Sequence, residues 1–413
     1  MYQKTIIRLI AQIDLLMHQQ LKLITQHQRL QRLESSWRGL FYLINQPSAN
    51  KNLNKIKIKL LDIEWGELVK DIDCATDFEQ TELFNKVYQH EFGHPGGEPF
   101  GLLIGDYYLT SPDNQTSMDE EVKVLRVLAK ICACAFAPFV TSVHAAFFDV
   151  DDFAVLYSIA NLAKIFQQKK YTAWNQLRQM QETRFIGIVL PRVLLKPKCL
   201  WCNAIYSFAT VVMRAFSTCA WMANIQGVKC DQLTGGLVDD LLPHFLLDKH
   251  ELIFSYATEV CITDKQGKIF SEFGFIALSK CNYAALHAFY NCHSIYNSTS
   301  ANNFNASCKL NYILCISRFI HYIKVLMRDK IGSFVNAREC ETYLTKWLMQ
   351  YTAGGEDLTD ELQAKYPLSE AKIIVEPQAH RPGCYLCTVY LCPHYQFEQV
   401  SATLKLITEI MVK

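Results

Sequence analysis

Between Ile316 and Ile331 the apolar residues Ile316, Phe319, Ile320, Ile323, Leu326, Met327 and Ile331 recur at three- and four-residue steps. That repeat belongs to a helix with one core-facing stripe. Arg318, His321, Lys324, Arg328, Asp329 and Lys330 lie between them, so the spacing predicts a long helix whose other side is wet and basic. Gly332 and Ser333 supply its stop, and a further helix from about Asn336 closes on Trp347 and Tyr351.

The 413 residues are half hydrophobic and one-fifth charged, a composition able to bury a large core in two or three domains. With 41 basic and 40 acidic residues the net charge is +1, which offers no global attraction to nucleic acid. The 16 cysteines follow no secretory segment and read as reduced, buried thiols in a cytoplasm. The apolar run from Ile131 to Phe148 holds Pro138 and His144 within it and Asp149, Asp151 and Asp152 behind it. It reads as a buried helix-turn-strand segment rather than a membrane insertion.

Along the chain, Ile6, Leu9, Ile10, Ile13, Leu16, Met17, Leu21 and Ile24 predict amphipathic helix through residue 44, with Trp37 as an anchor near its end. Lys55 to Asp62 alternates Lys57 and Lys59 with Ile56, Ile58 and Leu60 and reads as a half-buried strand. Further strands are expected at Phe100 to Ile104 and Phe185 to Leu190, with helices at Met118 onward and Ala204 to Ile225. Glu259 to Asp264 reads as a strand, turned by Lys265-Gln266-Gly267 and answered by Phe273 to Leu278 in a hairpin. Tyr290 to Cys308 is a linker, and Ala371 to Val375, Cys384 to Leu391 and Ala402 to Ile410 are three final strands. The result is α/β in the middle and α+β at the end, divided as a helical segment 1–50, an α/β domain 51–300 and an α+β domain 301–413.

His90-Glu91-Phe92-Gly93-His94 fits the H-E-x-x-H pattern, in which two histidines on one helical face clasp zinc and the glutamate acts as general base. Gly93 lies inside the turn that must carry both imidazoles, and Pro95, Gly96 and Gly97 follow at once. Cys199-x-x-Cys202 and Cys384-x-x-Cys387 have the spacing of a four-thiolate zinc site, against a background of 16 cysteines that yields such pairs by chance. No phosphate-cradling glycine loop, dinucleotide fingerprint or nucleophile elbow is present in the sequence.

Several stretches together resemble the large subunit of the type VI secretion contractile sheath. They are Ser317 to Phe334 in the long helix, Leu33-Glu34-x-Ser36-Trp37-Arg38-Gly39-Leu40, and Gly96-Gly97-Glu98-Pro99-Phe100-Gly101 running on to Gly105-Asp106. Trp201-Cys202-Asn203 follows the pattern with Cys202 in place of a glycine and a shortened loop before it. The resemblance covers nearly the whole chain. It implies a structural protein without catalytic groups or cofactor, an α/β sheath domain followed by an α+β domain, and terminal strands in 384–410 donated to neighbouring subunits. It further implies a heterodimer with a small sheath subunit, a helical polymer of copies around an inner tube, contact with baseplate components, and disassembly by a hexameric unfoldase. Arg318, Lys324, Arg328 and Lys330 are expected to face the tube or an acidic neighbour. The alternative is a zinc metallopeptidase using His90, Glu91 and His94.

Overall fold

The computed structural model describes residues 2–46, 56–94, 96–109, 118–156, 162–195, 200–228, 234–239, 241, 245–248, 251–254, 257–281, 286–297, 308–329, 337–354, 359–377, 384–394 and 404–411. Two helices open the chain, α1 (Tyr2–Thr25) and α2 (Gln28–Ile44), followed by α3 (Trp65–Cys74). A composite helical run follows: Glu82–Phe84 is α-helical, Asn85–Gln89 π-helical and His90–Phe92 α-helical again.

The middle of the chain builds a six-stranded sheet from β1 (Leu103–Leu109), β2 (Phe139–Val143), β3 (Ile186–Leu190), β6 (Leu237–Val238), β9 (Phe275–Lys280) and β10 (His287–Phe289). Its order is β1-β2-β3-β9-β10-β6. The first four strands are mutually parallel and the last two join antiparallel. Two short antiparallel pairs form separate sheets, β4 (Val193–Leu195) with β5 (Leu200–Cys202) and β7 (Phe245–Asp248) with β8 (Glu251–Phe254).

Because side chains alternate along a strand, the sheet separates two cores. Ile186, Ile188, Leu190, Phe275 and Ala277 face one layer, which holds α4 (Met118–Ala135), Trp174 and the rings of Phe147 and Phe148. Val189, Ile276 and Leu278 face the other, with Phe208, Val211 and Val212 of α5 (Ile205–Cys219). The central position predicted for Phe185 to Leu190 is where β3 lies, buried at every residue.

The predicted organising helix is α7 (Leu310–Asp329). It is long and apolar enough to cross a membrane by composition, yet 72% of its Leu310–Met327 window is buried within the protein. Its burial is shared out: Leu310 and Leu314 enter one sheet core and Ile313 the other. Ile316, Phe319, Ile320, Ile323 and Met327 enter a third core, with Cys340, Leu344 and Leu348 of α8 (Ala337–Met349). That third core is closed by a three-stranded antiparallel sheet, β11 (Leu368–Pro377), β12 (Cys384–Pro393) and β13 (Leu404–Met411). β13, the strand expected to be donated, pairs with β12 of its own chain from Leu404 to Met411.

Three local expectations are corrected. The described part of the 55–62 strand, residues 56–62, pairs with no other strand among the described residues. The buried strand expected at Phe100 to Ile104 begins at Leu103 and forms a half-buried edge of the sheet. The Glu259 to Leu278 hairpin is instead a helix, α6 (Asp264–Glu272), leading into β9. Thr263 and Gln266 form a reciprocal capping box, with the Gln266 amide donating to Thr263 Oγ1 at 3.4 Å and the Thr263 amide to Gln266 Oε1 at 3.0 Å. Gly267 lies within the helix, where a Cβ would meet Ser279 Oγ of the sheet at 2.6 Å.

Candidate assembly site

The separate motifs meet at one carboxylate. β1 loses its register with β2 between Ile104 and Tyr108, and Thr141 Oγ1 donates to the Gly105 and Tyr107 carbonyls at this irregularity. A bulge of this kind re-aims a side chain, here Asp106. Asp106 accepts from Ser36 Oγ of α2 at 2.5 Å, from Tyr206 OH of α5 at 2.9 Å and from Asn203 Nδ2 at 3.2 Å. Asn203 Oδ1 in turn accepts the Ile205 amide at 3.1 Å, an Asx turn at the start of α5. Burial beside the Asp106 carboxylate raises the Tyr206 phenol well above its usual range, so it remains a donor. Burial likewise pushes the Cys202 thiol up to about 12, so it is not a reactive thiolate.

Gly39 makes the junction possible. A Cβ on it would lie 2.2–2.7 Å from carbons of the Tyr206 ring, so α2 can rest on α5 only where that side chain is missing. Arg38 pairs with Glu34 along the same helix, and Tyr42 OH donates to the Asp239 carbonyl at 2.9 Å. The remaining motif residues lie in the 96–105 segment that leads to Asp106. Gly96 has φ +86°, Gly97 abuts the Glu91 carbonyl, Gly101 lies beside Met222, Gly105 beside the Phe139 ring, and Pro99 stands in the segment between. Trp201 lies half-buried in β5.

The expected anchor, Trp37, points the other way. It is 61% exposed and forms a stripe with Leu33, Phe41 and Ile44, all of them exposed on α2. α1 extends this surface. Ile6, Ile10, Ile13, Met17 and Ile24 follow alternating four- and three-residue steps, interrupted at Gln20, and Leu9, Leu16 and Leu23 recur every seven residues beside them. All are more than half exposed. Such a heptad stripe is the surface that a helical partner covers. Among residues 1–44 there are six Lys or Arg against two Asp or Glu, so the stripe is bordered by positive charge.

The His90–His94 segment has a mechanical role. The α-helix ends at Phe92, and the two imidazoles stand edge-to-face with centroids 6.2 Å apart. The Glu91 carboxylate takes the Lys59 ammonium on one oxygen and the Glu98 amide on the other at 2.8 Å, so it ties down the glycine turn. No group of three or more His, Cys, Asp or Glu among the described residues is arranged to hold a metal. Cys202 and Cys387 are buried in different cores, while Cys199 lies outside the described residues and Cys384 is described only in its backbone.

The basic face of α7 is corrected at two positions. His321 is buried, with Nε2 2.9 Å from the Ala135 carbonyl, and burial pushes its imidazole down to about 3. The Lys324 ammonium turns inward over three rings, Phe92 at 4.7 Å, Phe136 at 4.8 Å and Tyr88 at 5.2 Å, and reaches the Cys134 carbonyl at 3.5 Å. Both groups thus serve the C-terminal carbonyls of α4, which have no acceptor role left within their own helix. Arg318 lies over Phe216 and Tyr322 and donates to Tyr322 OH at 3.1 Å. The Arg328 side chain and Lys330 lie outside the described residues.

An α/β sheet joined through one helix to an α+β unit and carrying a large uncovered helical arm has the form of a subunit made for assembly. The comparisons name the assembly. The EvpB/VC_A0108 tail sheath N-terminal domain matches residues 7–198 and 196–296, and the tail sheath gpW/gp25-like domain of the same family matches 299–410. The chain is 32% identical over 441 residues to the type VI secretion system sheath protein TssC1 of Pseudomonas aeruginosa, covering 98% of this chain and 86% of that one. It belongs to the type VI secretion sheath large-subunit family, and it is a structural sheath protein, not an enzyme. Looser likenesses connect it to the anti-feeding prophage baseplate structure, at TM-score 0.39, 10% identity and 87% and 80% coverage of the two chains. The sheath tail protein of Desulfitobacterium hafniense is similar at TM-score 0.34 and 11% identity, over 73% of this chain and 62% of that one.

Proposed function

We propose that this chain pairs with a small sheath subunit through α1 and the outer face of α2, and that the heterodimers polymerise around an inner tube in the bacterial cytoplasm. The observation that carries this reading is the exposed heptad stripe, since apolar side chains repeated over a helix about 36 Å long are not left to water in a working assembly. The outer edge of β13 is the place for sheet sharing between neighbours, since that of β11 is engaged by Glu341 and by the Tyr351–Ala353 backbone, and such sharing needs no cofactor. Contraction then draws on the difference between two packings of these contacts. Baseplate components and a hexameric unfoldase complete the set of partners.

The boundary between 51–300 and 301–413 is supported by the two family matches meeting between 296 and 299, whereas the first match begins at residue 7 and lends no support to a separate 1–50 segment. Of the basic residues first considered for the tube, Arg328 and Lys330 are retained for an acidic neighbour, because Arg318 and Lys324 are engaged within the chain. The test is co-expression with the small subunit, followed by affinity capture and electron microscopy. Wild-type chain should give tubes. Replacing Ile10, Ile13 and Met17 together by Ser should abolish capture of the small subunit, and capture at wild-type levels would refute the assignment of α1.

A further inference from the structure

Two departures from regular backbone meet around the side chain of Lys324. Phe136, the residue after α4, has φ +51°, in the left-handed region that glycine ordinarily takes at a helix end. Its amide and that of Ala137 close the helix on the Ala133 and Cys132 carbonyls at 3.4 and 3.1 Å. The turn Asn85–Gln89 is π-helical, and its wider winding brings Phe84, Tyr88 and Phe92 into a column with ring centres 5.0 and 4.9 Å apart. Both features set rings about one nitrogen: Lys324 Nζ has the Phe92, Phe136 and Tyr88 centres at 4.7, 4.8 and 5.2 Å. Among the described residues no carboxylate pairs with it, and its one acceptor is the Cys134 carbonyl at 3.5 Å. No other lysine among the described residues stands over more than one ring.

We propose that Lys324 is a modification site: its Nζ carries two methyl groups, delivered by a sulfonium methyl donor, and the three rings are the cage that holds them. Distance separates this from a bare ammonium. An N–C bond of about 1.5 Å followed by a carbon contact of about 3.5 Å sets a methylated nitrogen about 5 Å from a ring that it faces. The three observed distances bracket that value, whereas an N–H laid directly on a ring brings the nitrogen closer. Hydrogen bonding agrees with distance. An ammonium has three N–H donors to satisfy, and this site offers a single long acceptor. Two methyl groups remove two donors, keep the positive charge that the C-terminal carbonyls of α4 favour, and leave the third N–H for Cys134. The strained Phe136 then has a use, as the wall opposite the Tyr88 and Phe92 column. In each of the two transfers the lone pair of the neutral amine attacks the methyl carbon. The C–S bond breaks with its electron pair left on sulfur as a neutral thioether, and the nitrogen gives one proton to water. Because the rings close over the nitrogen, both transfers precede the docking of α7 on α4.

Peptide mapping by mass spectrometry, on the full-length chain purified from its source bacterium, tests this. Trypsin cuts the unmodified chain after Arg318, Lys324 and Arg328. Dimethylated Lys324 resists the cut, so the dominant product should be peptide 319–328, heavier by two methyl groups, with fragment ions that place both on Lys324. Lys123, which pairs with Asp73 in the open, and Lys346, exposed on α8, should be unmodified. Peptide 319–324 as the dominant product overturns the proposal. So does any other state of Lys324, whether one methyl group, three methyl groups or an acyl group, since none of these matches both the rings and the carbonyl. Equal methylation of Lys123 or Lys346 overturns it as well, because the cage would then select nothing.

Discussion

Replacing Asp106 with Ala should release α2 from the sheet domain while leaving the rest of the fold standing. The carboxylate accepts from three donors on three different segments, Ser36, Asn203 and Tyr206. A hydrogen bond to a charged group contributes about 1.5–3 kcal/mol net. Ser36 can fall back on the Arg32 carbonyl at 3.2 Å, and the Asn203 contact is long, so the sum is smaller than three full bonds. The expected loss is about 3–5 kcal/mol for Asp106→Ala, and about half of that for Asp106→Asn, which keeps one acceptor oxygen. Tyr206→Phe removes one donor only and should cost about 1.5 kcal/mol. Native-state hydrogen exchange is the assay, because it reads the opening of α2 separately from that of β3 or α7. Protection should fall in residues 28–44 and hold in 186–190. Unchanged protection in α2, or an equal fall everywhere, would refute the view of Asp106 as the pin of this junction.

Gly39→Ala should lower stability by about 1–3 kcal/mol in thermal or denaturant melts, since the new methyl group displaces the Tyr206 ring. Glu91→Gln should reduce the melting temperature by freeing the Glu98 turn, and inductively coupled plasma analysis should find the same metal content in both proteins. His321 remains neutral down to about pH 3 in the fold, whereas an unfolded histidine protonates near 6.5; stability should therefore fall as pH drops from 6.5 toward 3, by at most about 1.4 kcal/mol per unit, and His321→Gln should remove that part of the slope. Burial pushes the Lys324 ammonium down to about 8 against an ordinary 10.5, so the folded chain releases this proton first and stability should rise between those values. Lys324→Met should abolish that rise in denaturant titrations across the same range.

Elements with a strong local period were legible in the sequence: the helix at Leu310–Asp329, the buried strand at Ile186–Leu190 and the three last strands all follow from side-chain spacing. The failures have definite physical sources. Gly267 drew attention as a turn residue and hid the Thr263 and Gln266 capping box, which was readable four residues earlier. The inward turn of His321 and Lys324 depends on carbonyls nearly 190 residues away in α4, which no helical wheel displays. The 55–62 alternation is a true strand pattern, but nothing else in the described chain completes it. Ser36 was named within the Trp37 motif but without a role, and Tyr206, the donor missed at the Asp106 junction, carried only a weak signal, a phenol within an apolar helix.

The sharing of α7 among three cores has a mechanical consequence. A rod of 20 residues, about 30 Å long, is gripped at its start by both faces of the large sheet and along the rest by the C-terminal unit. Load applied at either end reaches the other without a soft spacer between them. A tube assembled from such stiff members must change its shape at the seams, with each molecule swinging as a whole lever.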